Sequence, residues 1–137
     1  MREKDKAEIY NLRSHNNPLA LAGEVCGAAS MGKAAIADIA GHPVALIGIT
    51  PLWPGVWTAW AFGTDDFDRV ALSLTRYAIK TLKPLLASRG AHRLQCESRA
   101  DHIKAHHWLT AMGAKPESVL KRYGRDGSDY IMFAWRS

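Results

Sequence analysis

The chain has 137 residues, of which 47% are hydrophobic and 23% are charged, and this composition is typical of one globular domain. Its apolar runs are shorter than the roughly 18 residues that a membrane-spanning helix needs, and no run of signal-peptide type follows the charged residues 1–6. The net charge of +5 at pH 7 favours acidic partners, which include nucleic acid, acidic proteins and anionic cofactors.

The first 32 residues contain two short segments with a secondary-structure pattern. Residues 5–12 are predicted as a short helix or strand, which the sequence Asn16-Asn17-Pro18 ends. Residues 18–29 are predicted as a short helix, because an apolar run there is closed by Gly23.

Three consecutive strands are predicted next. Residues 34–39 and 44–49 flank the turn Gly41-His42-Pro43, which is the arrangement of a β-hairpin. A third strand, residues 56–62, follows the breaker at residues 51–54 and is rich in aromatic and β-branched residues. Trp57 and Trp60 should lie on opposite faces of this strand, because side chains alternate along a strand.

A long amphipathic helix follows, with apolar residues at i, i+3, i+4 and i+7 from Phe67 onward. Asp65 or Asp66 is the predicted N-cap, and Pro84 is predicted to end or kink the helix. The remaining pattern predicts a strand at 92–97, a helix at 101–112 closed by Gly113, and strands at 119–123 and 130–135 joined by a hairpin turn at 124–128.

The order of these elements from Lys33 onward resembles the fold of the GCN5-related N-acetyltransferases (GNAT). The hairpin at residues 37–48 resembles that family's early hairpin, and Ala105, Trp108-Leu109 and Gly113-Ala114 resemble its late helix. The resemblance implies a single α+β domain over residues 1–137, with a mixed, mostly antiparallel central sheet flanked by helices. Within it, residues 33–137 form the recognisable core and residues 1–32 a divergent N-terminal segment.

A narrower resemblance is to the small GNAT-like internal virion proteins of short-tailed phages. It rests on residues 41–45, 102–103, 109–114 and 123–127. That group resembles acetyltransferases in fold and serves particle assembly. The resemblance implies a virion-associated or assembly protein, in the virion or the host cytoplasm, without a cofactor. Its partners would be other virion or assembly proteins, or further copies of itself.

In the GNAT family, a glycine-rich loop at the start of the long helix holds the pyrophosphate of acetyl-CoA. Backbone N–H groups and the positive helix end attract such an anion. The matching residues 62–69 contain one glycine, Gly63, and three carboxylates, which repel a pyrophosphate and suit a helix that caps itself. Gly63 and Arg69 are the candidate cofactor residues under the alternative, an acetyl-CoA-dependent N-acetyltransferase with a divergent loop.

The sequence assigns no catalytic residue. The resemblance places the family's tyrosine general acid at Leu109, which cannot donate a proton, and residues 56–62 contain no carboxylate to act as general base. His106 or His107 is the open alternative for a base, because histidine titrates near neutral pH. His102 and His106 have helical metal-ligand spacing, but no third ligand of clear spacing follows, so no metal site is predicted.

A basic stripe and an aromatic loop residue are the predicted partner-binding features. Arg69, Arg76, Lys80 and Lys83 fall within about 60° of one another on a regular helix, and Trp53 lies in a Pro-flanked loop as an exposed anchor. The stripe predicts docking to an acidic protein surface, and a solvated helix face is the alternative. Nucleic acid is not an expected partner, because no reader motif accompanies the stripe.

The two cysteines, Cys26 and Cys96, are predicted as buried or half-buried free thiols, since free cysteine packs as a small hydrophobic residue. A disulfide is the alternative, but no other feature of the sequence indicates an oxidising compartment.

Overall fold

The computed structural model describes residues 3–137, without the side chains at positions 4 and 7. The strands are β1 Lys33–Ile39, β2 His42–Trp53, β3 Val56–Gly63, β4 Arg93–Arg99, β5 Lys115–Leu120 and β6 Tyr130–Arg136. The helices are α1 Glu3–Asn11, α2 Pro18–Met31, α3 Phe67–Tyr77, α4 Lys83–Ser88 and α5 Ile103–Ala111, with a π-helical turn, Ala78–Leu82, between α3 and α4. None of these helices is long and apolar enough to cross a membrane.

The strands form one six-stranded sheet in the order β1-β2-β3-β4-β6-β5. The β3–β4 pair is parallel and the other four pairs are antiparallel. Parallel neighbours need a crossover connection, which α3 and its extension provide here. The predicted α+β fold class, with a mixed and mostly antiparallel sheet between helices, is confirmed.

One face of the sheet carries α3 and α5 and holds the main core. Trp57 of β3 is buried there with Ile47 and Ile49 of β2, against Phe67 and Leu74 of α3. Burying each side chain of this size stabilises the fold by about 1.5–3 kcal/mol. The apolar residues of α3 recur at helical spacing because they form the side of the helix that packs against this face of the sheet.

The opposite face carries α1 and α2. Trp60 lies flat against Gly48, where a Cβ atom would come within 2.2 Å of the indole ring. The Trp60 Nε1–H donates to Oγ1 of Thr50 at 3.0 Å, and the Thr50 hydroxyl donates to the Ala28 carbonyl of α2 at 3.2 Å. The prediction that Trp57 and Trp60 lie on opposite faces is confirmed.

The predicted N-cap position is confirmed at Asp66, but the long helix continues past Pro84. Asp66 occupies the N-cap position without a capping hydrogen bond from its side chain, and the Thr64 hydroxyl instead accepts from the Asp66 N–H at 3.3 Å. Pro84 does not end the helix, which widens into the π-helical turn and continues to Ser88. Pro84 lies in the first turn of α4, where its missing N–H costs little.

Two strand boundaries were also predicted wrongly. β2 runs through Pro51 to Trp53, so the reversal occurs only at Pro54 and Gly55, whose φ is +85°. β5 ends at Leu120, and the connection to β6 is residues 121–129 rather than a tight turn at 124–128. Asn11 of α1 stabilises that connection, because its side-chain carbonyl accepts from the Asp126 N–H at 2.9 Å. Local patterns cannot reveal such a long-range contact.

Candidate functional site

The strands β3 and β4 pair only where they begin. The parallel ladder joins Val56 to Arg93, Trp57 to Leu94 and Thr58 to Gln95, and extends no further along the described strands. Both strands continue, to Gly63 and Arg99 respectively. The middle of the sheet therefore opens into a notch between the second halves of β3 and β4, and this notch has a cavity on each face.

The α3–α5 cavity, of about 250 Å³, lies on the core face. Its wall is mostly apolar and includes Ala59 of β3, Phe67 of α3 and Leu109 of α5. Trp108 is fixed beside it by an edge contact to Phe67, with ring centroids 5.4 Å apart, and by donating its Nε1–H to Oγ1 of Thr75 at 2.7 Å. The cavity thus has a rigid aromatic wall between the two helices.

Two β4 side chains reach the wall of this cavity from the notch. Ser98 is 3% exposed, and its hydroxyl has no hydrogen-bond partner among residues 3–137. A buried hydroxyl left unpaired costs about 1–3 kcal/mol. Burial raises the pKa of the Cys96 thiol to about 12, so this side chain is an uncharged thiol at neutral pH and no nucleophile.

The α1–α2 cavity, of about 490 Å³, lies on the opposite face. Trp60 and Phe62 form an aromatic wall, with stacked rings whose centroids are 6.1 Å apart. Glu97 of β4 lines the cavity and accepts a hydrogen bond from the Tyr123 hydroxyl at 3.3 Å. Burial, followed by the charge of Glu97, raises the pKa of Tyr123, so its hydroxyl stays protonated.

The two cavities meet at the notch, because they share part of their walls: Asp5, Glu8, Ala59, Trp60, Ala61 and Glu97. Three of these shared side chains are carboxylates, although the whole chain carries a net charge of +5. The notch is therefore a locally acidic passage through a basic protein, and it favours a cation on the α1–α2 side.

Helix α1 lies across the notch and is bonded to three different elements. The Asp5 carboxylate accepts from the Gly63 N–H of β3 at 2.7 Å. Glu8 contacts His102 at the start of α5, and Asn11 Nδ2 donates to the Tyr130 hydroxyl of β6 at 3.0 Å. The spacing of three residues places these side chains on one face of α1. Helix α1 therefore closes one end of the notch.

The 63–69 segment, where β3 gives way to α3, uses most of its backbone N–H groups internally. The N–H groups that donate within the protein belong to Gly63, Thr64, Asp66, Phe67 and Arg69. Its carboxylates are engaged as well: Asp68 contacts Lys104 of α5, and Asp66 forms an ion pair with Arg69 at 3.7 Å. A phosphate-binding loop instead aims its N–H groups at the ligand.

The predicted cofactor residues Gly63 and Arg69 both make other contacts, and whether either binds a cofactor stays a prediction. A Cβ atom at Gly63 would come within 2.6 Å of the Phe67 ring and 2.8 Å of the Val44 carbonyl oxygen. The close packing around residue 63 is therefore a sufficient reason for a glycine at this position. The side chain of Arg69 is 62% exposed and contacts Asp66.

The predicted partner-binding residues are all exposed, and Trp53 is 60% exposed. The π-helical turn interrupts the regular winding on which the 60° arc of the basic stripe was predicted. The π-helical turn contains Lys80 and precedes Lys83, and its i→i+5 bonds wind the chain by a smaller angle per residue. Lys80 and Lys83 are consequently shifted around the helix from Arg69 and Arg76. Whether these residues bind a partner stays a prediction.

The histidines do not form a common site. His102 contacts Glu8, whereas His106 Nε2 approaches the Arg99 carbonyl at 2.9 Å and its ring packs on Phe133. Neither His106 nor His107 lines either cavity, and the alternative of a histidine base stays a prediction. Within residues 3–137, no group of three or more His, Cys, Asp or Glu side chains is placed to hold a metal ion.

Glu97 is the site residue that sequence reasoning missed. The search for a base covered the strand before the long helix, which is β3. The carboxylate lies on β4 instead, beside the notch, and only the divergence of the two strands brings it there.

Solved structures share this arrangement over most or all of the chain. The ribosomal-protein-alanine N-acetyltransferase from Brucella melitensis aligns with a TM-score of 0.73 and 14% identity, over 100% of this chain and 97% of that one. Ard1 from Thermoplasma volcanium aligns with a TM-score of 0.73 and 13% identity, over 98% and 93%. A GNAT family acetyltransferase from Elizabethkingia anophelis, solved with acetyl-CoA bound, aligns with a TM-score of 0.66 and 8% identity, over 84% and 82%.

No protein-family model and no curated protein matches the sequence. At these identities the structural likeness establishes the fold alone. The chain has the GNAT acetyltransferase fold, which confirms that part of the resemblance. The narrower resemblance to phage internal virion proteins stays a prediction.

Proposed function

We propose that this chain is an acetyl-CoA-dependent N-acyltransferase whose transfer site is the notch between β3 and β4. One observation carries the proposal: a cavity on each face of the sheet opens to the same notch, and Glu97 lines both cavities. Two substrates that must react with each other can then reach the notch from opposite faces. The acetyltransferases of the same fold, one solved with acetyl-CoA bound, support this function.

Acetyl-CoA has an uncharged arm and a charged pyrophosphate, and this chain suits the arm better than the pyrophosphate. The α3–α5 cavity suits an uncharged, partly apolar arm, because its wall is mostly apolar and Ser98 offers an unpaired hydroxyl. The 63–69 segment does not suit a pyrophosphate, since its N–H groups are largely bonded internally and its side chains are acidic. Acetyl-CoA, when bound, supplies an electrophilic thioester carbonyl.

The acceptor of such a reaction is an amine, which is a cation at neutral pH. The carboxylates of Glu8 and Glu97 and the aromatic faces of Trp60 and Phe62 favour a cation in the α1–α2 cavity. Glu97 would take one proton from the ammonium group and so free the lone pair of the nitrogen, which could then bond to the thioester carbonyl carbon that acetyl-CoA supplies. The second proton, lost as the amide forms, would pass to solvent, and the sulfur would leave with the electron pair as a thiolate. A thiol ionises near pH 8.5, so this step does not require a general acid at the position of Leu109.

A second candidate function is a non-catalytic binding or assembly protein on the same scaffold. The internal bonding of the 63–69 segment and the position of α1 across the notch favour it. Under this function the chain binds no cofactor, acts in a virion or host cytoplasm, and docks protein partners or further copies of itself. Trp53, Arg69, Arg76, Lys80 and Lys83 would form the partner surface.

Donor binding and acyl transfer separate the two functions. Thermal unfolding is measured with acetyl-CoA up to millimolar concentration, and acylation is measured with a panel of primary amines. Ligand at about 100 times its dissociation constant adds about 2.7 kcal/mol to the free energy of unfolding. Under the proposed function, Glu97→Gln lowers kcat/KM by about 100-fold or more while donor affinity is unchanged.

Glu3→Gln is the matched control, because Glu3 is exposed and lines neither cavity. It should leave both donor affinity and turnover unchanged. No thermal shift together with no acylation of any amine would overturn the proposal in favour of the binding protein.

A further inference from the structure

We infer that Tyr123 is a positioning residue for the transfer reaction, whose hydroxyl holds one oxygen of the Glu97 carboxylate and leaves the other for the acceptor amine. The inference rests on the proposed function and adds a second side chain to the acceptor site. Its starting point is a hydrogen bond on the wall of the α1–α2 cavity, in which the Tyr123 hydroxyl donates to Oε1 of Glu97 at 3.3 Å.

Glu97 lies where the sheet gives its side chain little support. The β3–β4 ladder ends at Thr58 and Gln95, so on the β3 side of Glu97 the neighbour is the notch and not a paired strand. A glutamate side chain has several rotatable bonds, and a base must hold its oxygen within hydrogen-bond reach of the proton it takes. Among the described residues, Tyr123 is the one whose side chain hydrogen-bonds the Glu97 carboxylate. Removing that hydroxyl should therefore free the carboxylate to rotate.

The Tyr123 ring is itself fixed by packing. It meets the ring of Tyr130 edge to face, with centroids 5.7 Å apart and an interplanar angle of 62°. Tyr130 is 0% exposed, and its hydroxyl accepts from Asn11 Nδ2 at 3.0 Å. Tyr123 thus packs on a side chain that belongs to β6 and is bonded to α1, so its hydroxyl has a defined position.

The backbone on either side of Tyr123 is also closed by hydrogen bonds. Before it, the Arg122 N–H donates to Oδ1 of Asp129 at 3.0 Å, and after it, the Gly124 N–H donates to the Ser128 carbonyl at 3.0 Å. Arg122 has a φ of +56°, which residues other than glycine rarely adopt. These bonds hold the connection between β5 and β6 in the shape that places Tyr123 against the α1–α2 cavity.

The proton of this hydroxyl stays on Tyr123. Burial, followed by the charge of Glu97, raises the pKa of Tyr123, so at neutral pH the phenol donates and does not compete for the proton of the amine. A carboxylate accepts hydrogen bonds on both of its oxygens. With Oε1 bonded to Tyr123, Oε2 is the oxygen that takes one proton from the ammonium group, and the phenol keeps its own.

A role in binding the acceptor alone is the competing explanation, because Tyr123 lines the α1–α2 cavity. The two roles change different constants. Positioning of the base acts on proton transfer and changes kcat, whereas a contact made equally before and during the reaction changes KM. A positioning role also depends on Glu97, because the hydroxyl has no base to orient once that carboxylate is absent.

The experiment is a double-mutant cycle on the full chain, with Tyr123→Phe, Glu97→Gln and the variant that combines them. The donors are acetyl-CoA and S-acetylpantetheine, which carries the same arm without the nucleotide, and the acceptors are primary amines from propylamine through 2-phenylethylamine to dipeptide amides. For the amine that wild type acylates fastest, Tyr123→Phe should lower kcat by about 3- to 10-fold and change KM by less than about two-fold. In the Glu97→Gln background, the same substitution should change kcat by less than about two-fold.

Tyr10→Phe is the matched control. Tyr10 carries its hydroxyl on α1, contacts the ring of His15 with centroids 6.2 Å apart, and lines neither cavity. Removal of that hydroxyl should change neither kcat nor KM. Tyr123→Phe keeps the ring that packs on Tyr130, and Tyr123 is 47% exposed, so the variant should fold, and its melting temperature checks this.

The cycle distinguishes failure of this inference from failure of the proposed function. An unchanged kcat in Tyr123→Phe, a rise in KM alone, or an equal loss of kcat with and without Glu97 would overturn the inference and leave the proposed function standing. A loss of kcat in Tyr123→Phe that disappears in the Glu97→Gln background would support both. If Glu97→Gln is as active as wild type, or if wild type acylates no amine from either donor, both are overturned.

Discussion

The notch lies between β3 and β4, and the 63–69 segment joins β3 to α3. These neighbouring regions differ in how many of their hydrogen-bonding groups already have partners within the protein. On the wall of the notch, Ser98 keeps an unpaired hydroxyl beside a cavity of about 250 Å³. In the 63–69 segment, the N–H groups of Gly63 and Phe67 donate to Asp5 and Thr64. The notch has open space on its wall, whereas a ligand at the 63–69 segment would first have to displace internal hydrogen bonds.

This difference shows that two proteins can share a fold while only some of the ligand contacts of that fold are retained. Strand divergence is a property of the backbone, and it persists here at low sequence identity to the solved acetyltransferases. Anion binding depends on particular N–H groups and charges, and a single carboxylate, Asp5, alters both at Gly63. Under the proposed function, affinity for the donor comes mainly from its uncharged arm.

The largest expected effect is a loss of stability in Gly63→Ala. It tests whether the glycine is needed for packing, independently of any phosphate binding. Gly63→Ala places a Cβ atom 2.8 Å from the Val44 carbonyl oxygen and 2.6 Å from the Phe67 ring, so the backbone must shift. We expect a loss of about 1–3 kcal/mol in the free energy of unfolding without any ligand, measured by denaturant titration.

Gly23→Ala is the control for that substitution. An added Cβ at Gly23 meets nothing within 4 Å, and the residue lies inside α2, so alanine there should stabilise the protein by about 0.5–1 kcal/mol. A neutral Gly63→Ala would show that the segment is free to move, and the contrast between the two regions would then fail.

A smaller effect is expected from the charges of the 63–69 segment. Asp65→Asn combined with Asp66→Asn removes two exposed carboxylates from the start of α3. Exposed charges act weakly, so the pair should improve the affinity for acetyl-CoA by about 1 kcal/mol, or about five-fold, with little change for S-acetylpantetheine. Calorimetry at low salt measures both constants.

Asp38→Asn removes a carboxylate from the far edge strand β1 and should change neither affinity. Equal improvement for both donors in the Asp65 and Asp66 double variant would contradict an effect on the phosphates. It would instead indicate a general loosening of the notch.

The sequence predicted the order of the elements well because that order depends on local patterns. Two apolar runs around the turn at residues 41–43 predict the first hairpin, and the 3.6-residue period predicts α3. The π-helical turn escaped prediction, because a regular 100° period was assumed from Arg69 to Lys83. The strand end at Leu120 escaped because Asn11, more than 100 residues away, stabilises the connection after it.

The candidate site was less predictable for a physical reason. The acidic 63–69 segment is contiguous, so its poor fit to a pyrophosphate is visible in the sequence. Glu97 and Ser98 belong to the site only because β4 diverges from β3, and no periodicity encodes that divergence. The role of Asp5 at Gly63 is equally non-local.

The smallest expected effect is a difference in reactivity between the two cysteines, which tests whether the wall of the notch is closed to solvent. Cys26 of α2 is exposed and Cys96 is buried, so the prediction of burial is wrong for Cys26, whose helix leaves that side chain in solvent. Alkylation of the folded protein at pH 8 should modify Cys26 and spare Cys96, because only a thiolate reacts and burial raises the pKa of Cys96 to about 12. Peptide mass mapping measures both sites.

The same pKa determines the direction of a pH effect on stability. An unfolded chain ionises Cys96 near pH 8.5, whereas the folded chain retains the proton until about pH 12, so its contribution is complete below pH 8.5 and is lost as pH rises from there to about 12. Cys96→Ala should remove this part of the alkaline destabilisation, and Cys26→Ala should not. Rapid alkylation of Cys96 at pH 8 would mean that the notch opens readily to solvent, in which case the wall that carries Ser98 is not a fixed one.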